Sequence, residues 1–188
     1  MITSFDEIRQ RVEEVEGLIT MIEAERLFNI IFRGPLDSVN LEIGSHLGKS
    51  SVAMGFACKD TKRKLYCIDV WHNDWIFEKW MAAIVKLGLL DNILPVRGYS
   101  GDILPTWLFK DKPILFDNVF IDGNHGMTDV LKDFVLVYPL VKVGGTIAFH
   151  DCNEAFPDVG KVWEIAKSLL SDHQITGSIA SGRKLNIK

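Results

Sequence analysis

The chain has 188 residues, enough for one domain that buries its own core and short for two of ordinary size. A formal charge of −4 excludes a general electrostatic hold on nucleic acid, and the 47% of apolar residues include no run near the ~20 that cross a bilayer. Three cysteines, Cys58, Cys67 and Cys152, are odd in number and lack metal-finger spacing, which predicts a reducing, cytoplasmic setting.

The opening MITSFDEIRQR is interrupted by acids and arginine, so no signal peptide is expected there. Ser4 and Glu7 read as a capping box, and Phe5, Ile8, Val12, Val15, Ile19 and Ile22 follow at steps of three and four. One helix with one apolar stripe is predicted, covering the core or, alternatively, meeting a second copy in a homodimer. Arg33-Gly-Pro35 ends a second helical stretch, so residues 1–35 form a helical segment ahead of a 36–188 core.

Val39 to Ser51, VNLEIGSHLGKSS, is the stretch the rest is built beside. Val39, Leu41 and Ile43 suit a buried strand ending at Glu42, Gly44 allows a tight turn, and Gly48 lets a ligand approach the start of a helix through Val52 to Ala57. A phosphate-cradling P-loop needs four residues between its glycine and the Gly-Lys-Ser, and here there are three. A dinucleotide fingerprint needs glycine where Ser45-His46 stand.

Downstream, strands and helices alternate. Lys64 to Val70 is a second strand carrying Asp69, placed 25 residues beyond Gly44, where an acid accepts from ribose hydroxyls in doubly wound folds. Trp71, Trp75 and Trp80 follow; the latter two fit a helical pattern through Ile76, Ile84 and Leu87, and only Trp71 is left to wall a ligand. Ile93 to Tyr99 is the third strand, turning through Ser100 and Asp102 into a short helix in which Asp102 is expected to cap. Asp117 to Asp122 is the fourth, followed by Gly123-Asn-His125 and a helix from about Thr128 to Val141; Val143 to Asp151 is the fifth. A helix around Val162 to Leu170 precedes two strands, Gln174–Ala180 and Arg183–Ile187, with a turn expected at Ser181-Gly182. The alternation predicts an α/β, doubly wound, mostly parallel Rossmann-like sheet with a C-terminal antiparallel hairpin. Ligands bind such sheets beyond the carboxyl ends of the strands, where Glu42, Asp69, Ser100, Asp122 with His125, and His150 with Asp151 converge.

LEIGSHLGKSS, RGYSGDILP, NVFIDGNH and GGTIAFHD, over roughly residues 39 to 152, together resemble class I S-adenosylmethionine-dependent methyltransferases. The similarity is to their catechol O-methyltransferase-like branch and its small sugar and macrolide O-methyltransferase-like members. The resemblance implies seven strands in the order 3-2-1-4-5-7-6. It implies an S-adenosylmethionine site on Glu42, Gly44, Ser45, Gly48, Ser50, Asp69, Trp71, Ser100 and Asp122, with loop amides from Ser45 to Lys49 on the methionine carboxylate and Ser100 and Trp71 beside the adenine. It also implies a divalent ion, magnesium or manganese, on Asp122, His150 and Asp151, with His125 as general base beside Asp122. His150 stands where many members carry a carboxylate; an Asp, His, Asp set suits manganese, iron or zinc better than magnesium, and the alternative is a metal-independent site with His150 as a hydrogen-bond donor or second base. The implied activity is methylation of a hydroxyl on a small molecule, with no nucleic-acid or membrane partner. Two rivals remain at this stage: a P-loop-like nucleotide hydrolase with Lys49 on phosphate, and a non-catalytic relic that binds cofactor alone.

Overall fold

A computed structural model describes residues 2–186. Its sheet has seven strands, β1 (Val39–Ile43), β2 (Lys64–Asp69), β3 (Ile93–Arg97), β4 (Phe116–Ile121), β5 (Val141–Phe149), β6 (Leu170–Thr176) and β7 (Ile179–Lys184). They lie in the order β3-β2-β1-β4-β5-β7-β6, as the resemblance implied. The first five run parallel, while β7 pairs antiparallel with β5 and with β6. The helices are α1 (Arg9–Glu13), α2 (Met21–Phe32), α3 (Lys49–Cys58), α4 (Asp74–Lys86), α5 (Ser100–Leu108), α6 (Met127–Val137) and α7 (Pro157–Ala166).

Because side chains alternate along a strand, each strand feeds two cores. Leu65, Cys67 and Phe120 pack with α1 to α4, whereas Leu41, Ile43, Val119 and Ile121 pack with α5 to α7. The chain winds outward from β1 to β3 and then restarts at β4 on the other side of β1, so a crevice opens where β1 and β4 part. Their ends are level: the Asp122 amide donates to the Ile43 carbonyl at 2.8 Å, Gly44 to Ile68 at 2.8 Å and His150 to Ile121 at 3.0 Å. Five connections therefore leave the sheet along one rim.

The N-terminal stripe is not one helix. α1 has five residues and stops at Glu13, and Glu7 accepts from the Thr3 amide and hydroxyl instead of completing a box with Ser4. A new helix starts after Thr20, whose hydroxyl and backbone exchange hydrogen bonds with Glu23 in a complete capping box. Phe5, Ile8, Val12 and Ile19 are buried in the chain's own core, while Ile22 is exposed. The stripe thus serves mainly to cover the chain's own core. The C-terminal turn also shifts: Gly177 and Ser178 make it, and Ser181-Gly182 lie inside β7 because they pair with β5. The expected strand end at Ile187 lies outside the described residues. Among the described residues no helix is long and apolar enough to cross a membrane.

Arg63 fastens the edge of this fold opposite the rim. Its buried guanidinium donates to the carbonyls of Phe32 (2.8 Å), Gly34 (2.9 Å), Pro35 (2.9 Å) and Ala57 (2.9 Å), which closes the ends of α2 and α3 over β2. Arg63→Ala leaves these carbonyls without donors, and such charge-assisted bonds contribute about 1.5–3 kcal/mol each. A loss of about 3 kcal/mol or more in unfolding free energy is expected in urea titration, with Arg63→Lys recovering only part of it.

Candidate active site

The rim encloses a cleft of about 600 Å³, a size suited to a nucleoside-bearing small molecule. Its floor is the Gly44–Gly48 turn. Gly44 has φ +87°, and a Cβ there would overlap the Asp122 carbonyl, so β1 and β4 can lie this close only with glycine at that point. Gly48 has φ +99°, and its missing Cβ leaves room for the Trp80 indole, which a Cβ would meet at 2.8 Å.

Two acids hold the turn. Glu42 is fully buried behind it, accepting from the Ser45 hydroxyl at 2.7 Å and from the Ser51 hydroxyl, and Ser51 in turn accepts from Trp80 Nε1 at 2.9 Å. Burial raises the Glu42 carboxyl above its ordinary value despite these bonds. Since strand alternation points Leu41 and Ile43 to one face and Glu42 to the other, under α3, Glu42 does not line the cleft. The expected contact with cofactor is corrected to a buttress. Asp69 does line the cleft, but its Oδ2 accepts from the Ser45 (2.8 Å) and His46 (2.9 Å) amides and its Oδ1 from the Trp71 amide (2.7 Å). Two of the loop amides expected to face a ligand are therefore already engaged.

Trp71 is a second correction. Its φ of +39° turns the indole inward, where it is 1% exposed against Phe77 and Trp80 at centroid distances of 4.9 and 5.0 Å. Its Nε1 donates to the His46 carbonyl at 3.0 Å, so it supports the turn from below, and the neighbouring His72 and Val70 line the cleft instead. Ser45, Gly48, Ser50 and Ser100 all line it. So do Gly17 to Ile19, the link between α1 and α2, which the single-helix reading concealed. Gly17 within an apolar helical pattern, and the T-x-x-E box at Thr20, were the available signals.

Also in the cleft, Asp122, His125 and Asp151 bring one ligand atom each within 4.8 Å of one another. His125 Nε2 lies 3.0 Å from Asp151 Oδ2, and its ring packs on Phe156 at 4.2 Å. His150, expected among the metal ligands, instead points Nδ1 at Asp122 (3.0 Å) and Asp151 (3.3 Å) and is 6% exposed. His125 takes its place in the cluster. The Nε2 of His150 faces Glu23 Oε2 at 3.6 Å, and Glu23 is itself buried, accepting from the Ser178 amide (2.7 Å) and hydroxyl (2.8 Å) and from Thr20. Burial pulls the His150 imidazole down, but Asp122, Asp151 and Glu23 together outweigh it and push it up to about 9. Burial likewise raises Glu23, yet its four hydrogen bonds bring it to about 2. Burial raises Asp122, and its bond from His150 offsets only part of that. Glu23 was invisible beforehand because it reaches His150 from 127 positions away.

Asp133 on α6 was also missed. It is 4% exposed, lines the cleft and accepts from Ser100 Oγ at 2.5 Å. Burial, with a smaller contribution from Asp129, pushes its carboxyl to about 6, against the lowering effects of the Ser100 bond and Lys132. Asp102, expected as a cap, makes no capping hydrogen bond and lines the cleft. A raised folded pKa means Asp133 binds its proton better in the folded chain. Its contribution to stability is full below about pH 4 and lost as pH rises through 6, a fall of about 3 kcal/mol. Asp133→Asn is therefore expected to be as stable as the parent near pH 4 and more stable at pH 7.5, read from paired urea titrations across that range.

A family model described as "Methyltransferase domain" matches residues 41–152, more than half of the chain. Among solved structures, the O-methyltransferase TomG from Streptomyces achromogenes, in complex with SAM, aligns at a TM-score of 0.73 and 17% identity over 96% of this chain and 89% of that one. The O-methyltransferase from Bacillus cereus, in complex with SAH, aligns at 0.71 and 14% identity, over 95% and 88%. A putative caffeoyl-CoA O-methyltransferase from Staphylococcus aureus aligns at 0.69 and 17% identity, over 97% and 93%. With the family's matched region running from β1 through the Asp122 and Asp151 strand ends, the chain belongs to the methyltransferase-domain family.

Proposed function

We propose that this chain is an S-adenosylmethionine-dependent O-methyltransferase that acts on a hydroxyl group of a small molecule. The observation that carries the reading is the joining, in one cleft, of the Gly44–Gly48 turn and the Asp122–His125–Asp151 cluster. When bound, S-adenosylmethionine supplies an electrophilic methyl on a positively charged sulfur. The chain's work is then to orient that methyl, exclude water and remove the acceptor's proton.

The donor's methionine carboxylate falls to the first-turn amides of α3, which have no partners inside the helix. Asp69 has spent three of roughly four lone pairs on backbone amides, leaving about one for a ribose hydroxyl, with His72 beside it. Ser100 and the Gly98–Asp102 turn border the base. His125, oriented by Asp151, takes the hydroxyl proton of the acceptor.

A second reading is favoured by the cluster itself. The oxygen, nitrogen and oxygen donors of Asp122, His125 and Asp151 fit a divalent ion such as manganese, iron or zinc. Such an ion, when bound, would acidify the hydroxyl. The two readings compete for His125, which cannot use one nitrogen both to hold a metal and to receive a proton. The free cysteines, two of them buried, suit a reducing cytoplasm as the setting.

Isothermal titration is expected to give micromolar binding of S-adenosylhomocysteine and none of ATP with magnesium; the reverse result would overturn the methyltransferase reading. His125→Ala is expected to lower kcat by about 10²–10⁴ while leaving S-adenosylhomocysteine affinity within about threefold. If His125 is the base, methyl transfer to a catechol, phenol or sugar panel survives EDTA. If the cluster holds a metal, EDTA abolishes transfer and manganese restores it better than magnesium.

A further inference from the structure

A capping box needs no burial, yet the one that starts α2 has it. Glu23 is 3% exposed and its carboxylate is fully bonded: Oε2 accepts from the Thr20 amide (2.8 Å) and hydroxyl (2.7 Å), and Oε1 from the Ser178 amide (2.7 Å) and hydroxyl (2.8 Å). The β6–β7 turn is shaped to admit it, since a Cβ on Gly177 would lie 2.6 Å from Oε1. Capping α2 requires neither the burial nor the second pair of bonds. Beyond the carboxylate lies His150, whose Nε2 is 3.6 Å from Oε2 and is buried with no hydrogen-bond partner among the described residues.

On its other side the same ring meets the cleft cluster. Its Nδ1 is 3.0 Å from Asp122 and 3.3 Å from Asp151, and Asp151 is 3.0 Å from His125 Nε2. His150 therefore sits between one carboxylate fixed by four bonds and two carboxylates that line the cleft. The Ser178 carbonyl also accepts from the Cys152 amide at 2.9 Å, so the turn that grips Glu23 holds the chain just past Asp151. Resting on the O-methyltransferase reading, we propose that Glu23 is a positioning residue for methyl transfer: it sets the His150 ring, and through that ring the Asp122 and Asp151 carboxylates and the His125 imidazole that Asp151 orients. A group at this remove touches no reacting atom and still fixes the geometry on which the rate depends. If Glu23 only fastened α2 to the β6–β7 turn, its loss would cost stability and leave the cleft as it is.

The test sets Glu23→Gln against Ser178→Ala, which removes one bond to Oε1 and nothing that faces His150. Both variants are expected to unfold at lower urea. Only Glu23→Gln is expected to lower kcat, by about tenfold or more on the best acceptor of a catechol, phenol and sugar panel, with S-adenosylhomocysteine affinity within about threefold. That loss is expected to vanish in a His150→Asn background, because a residue acting through another adds nothing once the other is gone. Imidazole nitrogen NMR shifts need no acceptor: in the S-adenosylhomocysteine complex the His125 resonances are expected to move in Glu23→Gln and to stay in place in Ser178→Ala. An unchanged kcat or unmoved His125 resonances in Glu23→Gln, or losses that multiply with those of His150→Asn, would overturn the assignment. Where Glu23→Gln does not fold, Glu23→Asp, which draws the carboxylate back from His150, is held to the same outcomes. A His150→Asn variant with parental kcat and parental His125 shifts overturns the assignment by itself. A parent that does not bind S-adenosylhomocysteine overturns the O-methyltransferase reading and this role with it, whereas a parent that binds it, with His125 unmoved by the Glu23 variants, refutes the positioning role alone.

Discussion

The Asp69 carboxylate is the constraint on which the cleft depends. It gathers three backbone amides, from Ser45, His46 and Trp71, onto one side chain at the end of β2, and so ties the β1 turn to the neighbouring strand. His46 and Trp71 both sit at positive φ, at 44° and 39°, which non-glycine residues adopt only when something compensates the strain. Hydrogen bonds to a charged acceptor contribute more than neutral ones, so Asp69 can offset two such residues. With the turn held from the side by Asp69 and from beneath by Glu42 and the Trp71 indole, the first turn of α3 is presented to the cleft in a fixed position. That rigidity is what a positioning enzyme requires.

The strands were legible because parallel strands covered on both faces read as short apolar runs, and LEI, LYCI, NVFI and TIAF all do so. Strand-end acids and glycines were legible because a doubly wound sheet has only one rim at which to collect them. Direction was harder to read than position. Glu42 and Asp69 both end strands, yet alternation turns one beneath a helix and leaves the other at the cleft. Trp71 and His72 are adjacent, and a positive φ at Trp71, which no residue pattern announces, decides which of them meets solvent. The N-terminal stripe had a sound helical period, but the period continued across Gly17 where the backbone did not. Glu23, Ser100 and Asp133 acquire meaning only from partners 33 to 155 positions away, information that local pattern does not carry.

Buried ionisable groups divide the molecule into parts that hold it together and parts that cost it stability. Arg63 belongs to the first kind, with every carbonyl it meets an otherwise open helix or turn end. Glu23 does too, since its four hydrogen bonds join α2 to the β6–β7 turn and bring its pKa down to about 2 in spite of burial. Glu42 and Asp133 belong to the second, their carboxyls raised by burial that their bonds do not repay. The contrast has a spatial logic. The well-satisfied groups lie behind the sheet edge or between layers, whereas Asp133 lines the cleft and Glu42 lies directly under its floor. Destabilising groups concentrated at one place are what a site selected for binding leaves behind.

The two histidines of the rim show how environment separates chemical roles. His150 is enclosed, with Nδ1 toward two carboxylates and Nε2 toward a third, and its pKa of about 9 keeps it protonated at neutral pH. A ring in that state is a poor acceptor for a further proton. What it supplies is positive charge, which lets Asp122 and Asp151 stand close together without repelling each other apart. His125 is more open and meets one carboxylate, so its ring keeps a nitrogen free to act. Substituting His150 by a carboxylate would place a third negative group against Asp122 and Asp151, an arrangement that only a bound cation could neutralise. The imidazolium thus performs within the chain part of the charge balance that an ion performs elsewhere, and it leaves His125 as the more open of the two rings.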